Sequence, residues 1–266
     1  MPLLEVQGLI KTYNKRRVVD GVDFHVSRGE IVGLLGPNGA GKTTTFRMVM
    51  GMISSEGGTI TLNGENVSHL PMYRRARLGI GYLAQEPSIF RNLTVDENIM
   101  AILETQPLNR HERQDRLQEL LSDLGLTRLS QSLAYTLSGG ERRRLEISRA
   151  LVTSPDILLL DEPFSGVDPR ACSDIQKIIV SLRNRGMSIL ITDHNVFETF
   201  SVADRVYIIH DGRVLKHGTP EDLINDKQAQ RLYLGDKFDR IGDALQQLRH
   251  QVAQKGQTIY NDSADA

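Results

Sequence analysis

The sequence has no tryptophan and one cysteine, Cys172, among its 266 residues. A single cysteine cannot form an internal disulfide, which fits a reducing compartment. No apolar run reaches the roughly 18 residues of a membrane-spanning helix, and the start lacks the pattern of a signal peptide. The formal net charge of −1 gives no overall positive field that would attract nucleic acid. These absences predict a cytoplasmic protein that would reach a membrane only through partners.

Short apolar runs alternate with helical patterns along most of the chain. Runs such as EIVGLLG, DILLLDEP and SILITDH are apolar throughout, as is typical of strands in a sheet covered on both faces. Between about residues 86 and 154 the pattern is almost entirely helical, with a capping box beginning at Thr94 and a helix cap at Asn109. The sequence therefore predicts an α/β core with an inserted helical subdomain.

The last residues form a separate predicted unit. Residues 1–235 make up the main domain, and 236–266 are expected to be a helical extension with a frayed tail. Apolar residues of this extension repeat at helical spacing and form one narrow stripe. The stripe could dock on its own domain, pair two chains or bind another protein.

The segment GPNGAGKTT matches the phosphate-loop pattern G-x-x-x-x-G-K-[ST] between a predicted strand and a predicted helix. Its glycines let backbone N–H groups converge on phosphate oxygens, and the helix adds the positive end of its dipole. Lys42 is expected to neutralise the β- and γ-phosphates of ATP, and the Thr43 hydroxyl to ligate Mg²⁺. The predicted nucleotide-binding residues are Gly36, Pro37, Asn38, Gly39, Ala40, Gly41, Lys42, Thr43 and Thr44.

Two adjacent carboxylates end the apolar strand ILLLDEP. Their side chains must diverge, because successive residues of a strand point to opposite faces. Asp161 is expected to hold Mg²⁺ through water, and Glu162 to polarise the attacking water as a general base. An acidic turn after a strand is common, so this assignment depends on the phosphate loop.

Ser138, Gly139 and Gly140 begin another predicted helix and could form a second anion site. A complete phosphate loop does not need a second anion-binding site for its own nucleotide. We therefore expect two copies of the chain to lie head to tail, with the LSGGE of each closing over the ATP of the other. Such a two-fold interface creates two composite sites.

The segments GPNGAGKTT, YLAQE, LSGGE, ILLLDEP, SGVD and ITDH, in this order and spacing, resemble those of the ATP-binding cassette (ABC) ATPases. The resemblance covers about residues 3 to 234 and implies a P-loop fold with a RecA-like core, a β-rich N-terminal part and an inserted helical subdomain. It also implies ATP hydrolysis with Mg²⁺.

The same resemblance implies roles for four further residues. Tyr13 matches the aromatic residue that stacks on adenine, and Asp168 matches the aspartate that crosses the dimer interface. Gln85 matches the glutamine that senses Mg²⁺ and the attacking water, and His194 matches the histidine that contacts the γ-phosphate. Plainer interpretations are a surface aromatic for Tyr13, a solvated loop residue for Gln85 and a core histidine for His194.

The chain resembles most closely the cassettes that couple ATP to separate membrane-spanning subunits. Chromosome-acting members carry a long coiled-coil insertion, and ribosome-acting members typically carry two cassettes in one chain. The segments ITDHNV and YLG favour the ATPases of lipopolysaccharide exporters. That resemblance implies attachment to the cytoplasmic face of the inner membrane. The ATPases of branched-chain amino-acid importers are an alternative, as is a soluble ABC ATPase that has no role in transport.

The loop EPSIFRNL after Gln85 is the candidate contact for the membrane subunits. Ile89 and Phe90 could floor a groove with Arg91 at its rim, or the two apolar side chains could fill the local core. Ala84 stands where the family usually has a proline before the glutamine. Three consecutive arginines, residues 142–144, are expected to be mainly solvated because they spread around their helix.

Overall fold

Ten strands and nine α-helices run along residues 1–234, the part of the chain that the computed structural model describes. The strands are β1 (Leu4–Tyr13), β2 (Arg16–Val26), β3 (Ile31–Leu35), β4 (Gly57–Leu62), β5 (Glu65–Asn66), β6 (Ile80–Leu83), β7 (Ile157–Asp161), β8 (Ser188–Thr192), β9 (Arg205–His210) and β10 (Arg213–Gly218). The helices are α1 (Lys42–Met50), α2 (Met72–Arg77), α3 (Val95–Leu103), α4 (Arg110–Asp123), α5 (Gly139–Leu151), α6 (Pro169–Asn184), α7 (Val196–Val202), α8 (Pro220–Asn225) and α9 (Lys227–Ala229). The predicted extension, 236–266, lies outside the described residues.

The central sheet has six strands in the order β10-β9-β3-β8-β7-β6. Its strands are parallel except for β10, which pairs antiparallel with β9. Every residue of β3, β7 and β8 is buried, as their apolar runs predict. Along β7, Leu158 and Leu160 join one hydrophobic cluster, whereas Ile157 and Leu159 join the other. The sheet therefore separates two cores.

A second, four-stranded antiparallel sheet of order β2-β1-β4-β5 covers one face of the central sheet. A two-residue turn joins β1 to β2, and Asn14 and Lys15 both have positive φ there, as the tight turn of a hairpin requires. The hairpin places Tyr13 at the end of β1. This sheet is the β-rich N-terminal part that the resemblance implies.

The helices α3, α4 and α5 form the inserted part. The predicted capping box at Thr94 and the predicted cap at Asn109 are confirmed, and Ser138 caps α5 in the same way. The apolar faces of α3, α4 and α5 pack into the core on the far side of the central sheet from β1 and β2. The caps thus fix where each helix of the insertion begins.

Arg75 supports the helix that follows the phosphate loop. It is fully buried, and its guanidinium donates to four carbonyls, those of Met48, Val49, Ser68 and Leu70, at 2.7–2.9 Å. Two of these acceptors lie at the carboxyl end of α1, where a cation is favourable. Burial lowers the pKa of Arg75 to about 10, so it stays charged at neutral pH. The carboxyl end of α1 is therefore held by α2.

None of the helices within residues 1–234 combines the length and the apolar character needed to cross a membrane.

Candidate nucleotide-binding and catalytic site

The predicted phosphate loop connects β3 to α1. Helix α1 begins at Lys42, and Gly41 caps it with a φ of 104°, a region that only glycine adopts readily. A β-carbon on Gly41 would lie 2.4 Å from the carbonyl oxygen of Val18, so β2 leaves no room for a side chain. Within the loop, Asn38 and Gly39 are exposed, whereas Thr43 and Thr44 are half-buried.

The side chain of Lys42 folds into this loop. Its ammonium group donates to the carbonyl oxygens of Gly36 at 2.6 Å and Pro37 at 3.0 Å. Burial lowers the pKa of Lys42, while the negative charges of Glu162, Asp193 and Asp161 act in the opposite direction. The lysine therefore lies in the field of three carboxylates, all from the ends of β7 and β8.

Asp161 is the last residue of β7 and is buried. Its Oδ1 accepts a hydrogen bond of 2.6 Å from Oγ1 of Thr192 on the neighbouring strand β8. Burial raises the pKa of Asp161, although the bond from Thr192 opposes that effect. This buried, hydrogen-bonded oxygen ligand is of the kind that Mg²⁺ prefers, and Mg²⁺ usually takes one or two carboxylates together with phosphates.

Three predicted residues meet at the turn after β7. Glu162 has a φ of 47° and donates its N–H to the carbonyl of Thr192 at 2.7 Å. Its Oε2 accepts a hydrogen bond of 2.9 Å from Nε2 of Gln85 and lies 3.4 Å from Nδ1 of His194. The side chains of Gln85, Glu162 and His194 therefore form one cluster, called here the catalytic cluster, next to buried Asp161.

Asp193 is a structural support that the sequence reasoning missed. It is 0% exposed, and its carboxylate accepts from the N–H groups of His194 at 2.7 Å, Asn195 at 2.8 Å and Phe164 at 3.2 Å. Burial raises its pKa despite these bonds. It thus fixes the backbone beside both Glu162 and His194. The signal was an acidic residue directly after the apolar run of β8, parallel to Asp161 after β7.

The residues of the predicted second half-site lie elsewhere on the chain. Ser138 caps α5 in a capping box with Glu141, and Asp168 caps α6 through the N–H groups of Arg170 and Ala171. The starts of these two helices border a cavity of about 410 Å³. Within residues 1–234, no hydrogen bond or ion pair joins Ser138, Gly139, Gly140 or Asp168 to the phosphate loop or to the catalytic cluster. Tyr13 also lies apart, 44% exposed, with Nζ of Lys11 5.6 Å from its ring centre.

The loop after Gln85 separates its two apolar residues. Ile89 is half-buried and packs against the core, whereas Phe90 is 47% exposed and Arg91 is exposed. Fully buried Asn98 holds this loop: it accepts from the N–H of Phe90 and donates to the carbonyls of Phe90, Leu93 and Thr94. The backbone that carries Phe90 is therefore fixed from inside.

The expectation of three solvated arginines on α5 is wrong for Arg143. Arg142 is exposed and Arg144 half-buried, but Arg143 is only 7% exposed. Its guanidinium donates to backbone carbonyls before Gln85 and around Glu162, and it pairs with Glu146 at 2.9 Å. Consecutive residues of a helix point about 100° apart, so one of the three had to face the core.

The chain belongs to the family of ABC transporter ATP-binding subunits, because the family model described as ABC transporter matches residues 19–165, more than half of the chain. It is therefore a nucleotide-binding ATPase, as the sequence predicts. An uncharacterized ABC transporter ATP-binding protein of Rhizobium meliloti is 56% identical over 88% of this chain and 87% of the relative. The lipopolysaccharide export system ATP-binding protein LptB is 53% identical in Haemophilus influenzae and 50% in Escherichia coli K12, each over 90% of this chain and 99% of the relative.

Solved structures support the same fold. An ATP-binding cassette of an ABC transporter in its ADP conformation aligns with a TM-score of 0.80 and 25% identity, over 89% of this chain and 100% of that one. The protein cbiO1 from Clostridium perfringens, part of an ABC transporter complex, aligns with a TM-score of 0.80 and 26% identity, over 94% and 98%. The predicted P-loop α/β fold with its inserted helical subdomain is confirmed.

Replacing Asp161 with asparagine should make the nucleotide-free chain more stable. Because burial raises the pKa of Asp161 above its ordinary 3.8, the ionised form lowers the free energy of unfolding at neutral pH. The asparagine would keep the acceptor for Thr192 without the charge. We expect a higher melting temperature for D161N at pH 7, measured by calorimetry without Mg²⁺.

The pH dependence of this difference in melting temperature gives an internal control. The cost of ionised Asp161 is fully present above the raised pKa and disappears below pH 3.8, where the carboxyl is protonated in both the folded and the unfolded chain. The gap in melting temperature between D161N and the unaltered chain should therefore close as the pH falls. A melting temperature of D161N below that of the unaltered chain at pH 7 would contradict the prediction.

Proposed function

We propose that this chain is the ATPase subunit of a lipopolysaccharide exporter. In this proposal two copies hydrolyse ATP head to tail and drive extraction of lipopolysaccharide from the inner membrane, toward the outer membrane. The observation that carries the dimeric part is that the phosphate loop and the start of α5, both candidate anion sites, share no hydrogen bond or ion pair within residues 1–234. The cargo is supported by the LptB relatives, which are 50–53% identical and match over nearly their whole length.

The catalytic cluster fits the hydrolysis step. Glu162 would take the proton of the attacking water, Gln85 would orient that water, and His194 would contact the γ-phosphate. Lys42 would move from the loop carbonyls to the β- and γ-phosphates. Thr43, Asp161 and Gln85 would hold Mg²⁺, which, when bound, supplies positive charge where phosphate charge develops.

The surplus of negative charge supports a cation at this place. Three carboxylates, those of Asp161, Glu162 and Asp193, act on the ammonium of Lys42. Arg47 and Arg143 also act on Asp161, but Arg143 is paired with Glu146. Buried charges are costly unless they are paired or coordinate a metal. A divalent cation on Asp161 would offset the remaining charge, so the residues present fit Mg²⁺.

The second half-site would bind the nucleotide of the partner copy. The N-terminus of α5 adds the positive end of its dipole. The Ser138 hydroxyl interacts with Glu141 within the cap, and it would turn toward a phosphate of the partner copy. Gly139 has open space around its Cα, since a β-carbon there would meet no atom within 4 Å. A phosphate group of another chain could approach the backbone at this point. Asp168 would lie at the same interface.

The membrane subunits would bind at Phe90 and Arg91. A large exposed aromatic ring on a rigid loop is well suited to be a binding hot spot, because little conformational entropy is lost on association. Four hydrogen bonds hold this loop to buried Asn98, which accepts one from Phe90 and donates the other three. The guanidinium of Arg149 lies 4.6 Å from the ring centre of Phe90 and supports the ring from the side of α5. Through this contact the chain would be attached to the cytoplasmic face of the inner membrane.

Replacing Glu162 with glutamine should abolish turnover but not nucleotide binding. Glutamine keeps the size and can still hydrogen-bond Gln85, but it cannot take a proton from water. We expect kcat to fall by about 10²- to 10⁴-fold, measured by phosphate release, with the affinity for ATP within a few-fold of the original. Glu65→Gln, an exposed acid on β5, is the control. Turnover of E162Q above a tenth of the original would exclude Glu162 as the base.

A mixing experiment tests the head-to-tail arrangement. Gly139→Ala should leave the fold intact, because the space at Gly139 is open and alanine favours helices, yet it should block the partner's phosphate. Lys42→Ala should remove the positive charge with which the phosphate loop neutralises the β- and γ-phosphates. Each variant alone is expected to be nearly inactive. An equal mixture should recover up to about a quarter of the original activity, because half the dimers then hold one intact composite site.

The mixture shows whether Gly139 serves the nucleotide of the partner copy or that of its own chain. If Gly139 served the nucleotide of its own chain, every site in the mixture would carry one defect and no activity would return. Calorimetry of Gly139→Ala provides the control for folding. An inactive mixture of two folded, dimerising variants would overturn the arrangement.

Loss of the Phe90 ring should detach the chain from its membrane subunits. Phe90→Ala removes the exposed ring but leaves the backbone contacts with Asn98. In cells that contain the lipopolysaccharide exporter, we expect the share of tagged chain recovered with membranes to fall, because truncating a hot spot costs about 2 kcal/mol or more, which weakens binding about 30-fold. Met52→Ala, another exposed apolar residue, is the control. Unchanged recovery, or copurification with subunits of an amino-acid importer, would contradict this assignment.

A further inference from the structure

One side chain of α5 connects two separate segments of the site. The guanidinium of Arg143 donates to the carbonyl of Ala84, directly before Gln85, at 3.0 Å. It also donates to the carbonyls of Asp161 at 3.2 Å, Glu162 at 3.1 Å and Pro163 at 3.4 Å. Arg143 thus contacts the backbone on both sides of the contact between Gln85 and Glu162.

Glu146 holds Arg143 and extends this network. Its Oε2 accepts from Nη1 of Arg143 at 2.9 Å, and its Oε1 accepts from the N–H of Ser88 at 3.3 Å. Both side chains are buried, with exposures of 7% and 5%. A buried ion pair is weak evidence for stability, since two apolar residues of similar size often stabilise a protein as well. The pair therefore calls for an explanation other than stability.

We propose that Arg143, oriented by Glu146, is a positioning residue that holds the turn of Glu162 and the loop of Gln85 in the geometry needed for hydrolysis. The proposal rests on the proposed role of Glu162 as the base. Arg143 itself touches neither nucleotide nor water in this account and acts only through the backbone of the two loops.

The backbone conformation of Glu162 explains why the turn needs support. Its φ of 47° belongs to the left-handed region, which is costly for a residue with a side chain. Such a conformation persists only where its surroundings hold it. Here the N–H of Glu162 donates to Thr192, and its carbonyl accepts from Arg143. The N–H of Ser165, within the turn, also donates to this carbonyl at 3.2 Å, so the bond from Arg143 is the one that ties the turn to α5.

The shape of the guanidinium explains why the residue is an arginine. Its planar fork presents several N–H donors in fixed directions, whereas a lysine presents one compact ammonium group. Four carbonyls from two loops surround the fork, which also pairs with Glu146. Lysine at this position would balance the charge of Glu146 but could not hold both loops at once.

The arrangement makes hydrolysis depend on how α5 lies against β7. The loop after Gln85 is joined to the same helix three times: Ser88 donates to Glu146 and accepts from Arg149, and Phe90 stacks on Arg149. A displacement of this loop, such as a partner bound at Phe90 would cause, would reach Glu162 through α5 and Arg143.

Arg143→Lys provides the first test, with Arg142→Lys on the same helix as the matched control. The new ammonium group keeps a positive charge opposite Glu146, so the chain should still fold, with a lower melting temperature because buried carbonyls lose donors. We expect kcat to fall about tenfold or more, since small misplacements of catalytic groups have large effects on rate. The affinity for a fluorescent ATP analogue should stay within about threefold. If folded Arg143→Lys had an unchanged kcat, Arg143 would serve only to neutralise the charge of Glu146, and the proposal would be overturned.

A double variant tests the role without leaving a buried charge unpaired. R143M/E146L replaces the ion pair with apolar side chains of similar size, which is compatible with folding. We expect it to bind the ATP analogue normally and to show the same loss of kcat as Arg143→Lys. Recovery of the original kcat in this variant would show that Arg143 and Glu146 only neutralise each other's charge. That result would overturn the proposal.

Introducing Arg143→Lys into the Glu162→Gln variant tells whether Arg143 acts by positioning the base or lowers kcat in another way. Once the base is absent, holding its turn should matter little, so Arg143→Lys should change the residual rate by less than about threefold. The same fold-loss in both backgrounds would show that Arg143 does not act through Glu162. Substantial turnover of E162Q alone would instead refute the base itself, and the two failures are thus distinguishable.

Discussion

The register between β7 and β8 is the constraint on which the site depends. It pairs Asp161 with Thr192, so that the hydroxyl of Thr192 reaches the carboxylate of Asp161 and its carbonyl accepts from the N–H of Glu162. The same pairing brings Asp193 to the N–H of Phe164. Because side chains alternate along a strand, a slip of one residue would turn Asp161 into the wrong face of the sheet. The apolar residues of both strands, buried on both faces, make such a slip costly.

This register concentrates charge where burial makes charge expensive. Burial raises the pKa of both Asp161 and Asp193, and it lowers the pKa of Lys42. Each of these shifts means that the ionised group costs stability in the folded chain. The cost is tolerated because the two paired strands hold the carboxylates in place. A site with this surplus of negative charge favours a cation and a nucleotide that arrive together.

Much of the fold follows from local patterns, whereas the supports of the site do not. Apolar runs predict the buried strands, capping residues predict where α3 and α4 begin, and the glycine pattern predicts the phosphate loop. Asn98 and Arg143 have no such signal, since each bonds to backbone that is distant in sequence or belongs to an irregular loop. Asp193 has the weaker signal of an acidic residue after an apolar run, which does not reveal its bond to Phe164. Arg143 looks like its neighbours Arg142 and Arg144 until α5 is packed against β6 and β7. Motif matching also directs attention to His194 and passes over Asp193 beside it.

Helix α5 explains why a helical subdomain interrupts the α/β core between the phosphate loop and β7. Its first residues, Gly139 and Gly140, are the proposed anion site for another chain, while its second turn carries Arg143 to the carbonyls around Glu162. A helix is rigid over this distance, so a shift of its N-terminus also displaces Arg143 one turn later. Through α5, the nucleotide of the neighbouring copy would be coupled to the base that acts on the chain's own nucleotide. In the proposed dimer, two half-sites on one chain would thereby let the two hydrolysis events influence each other.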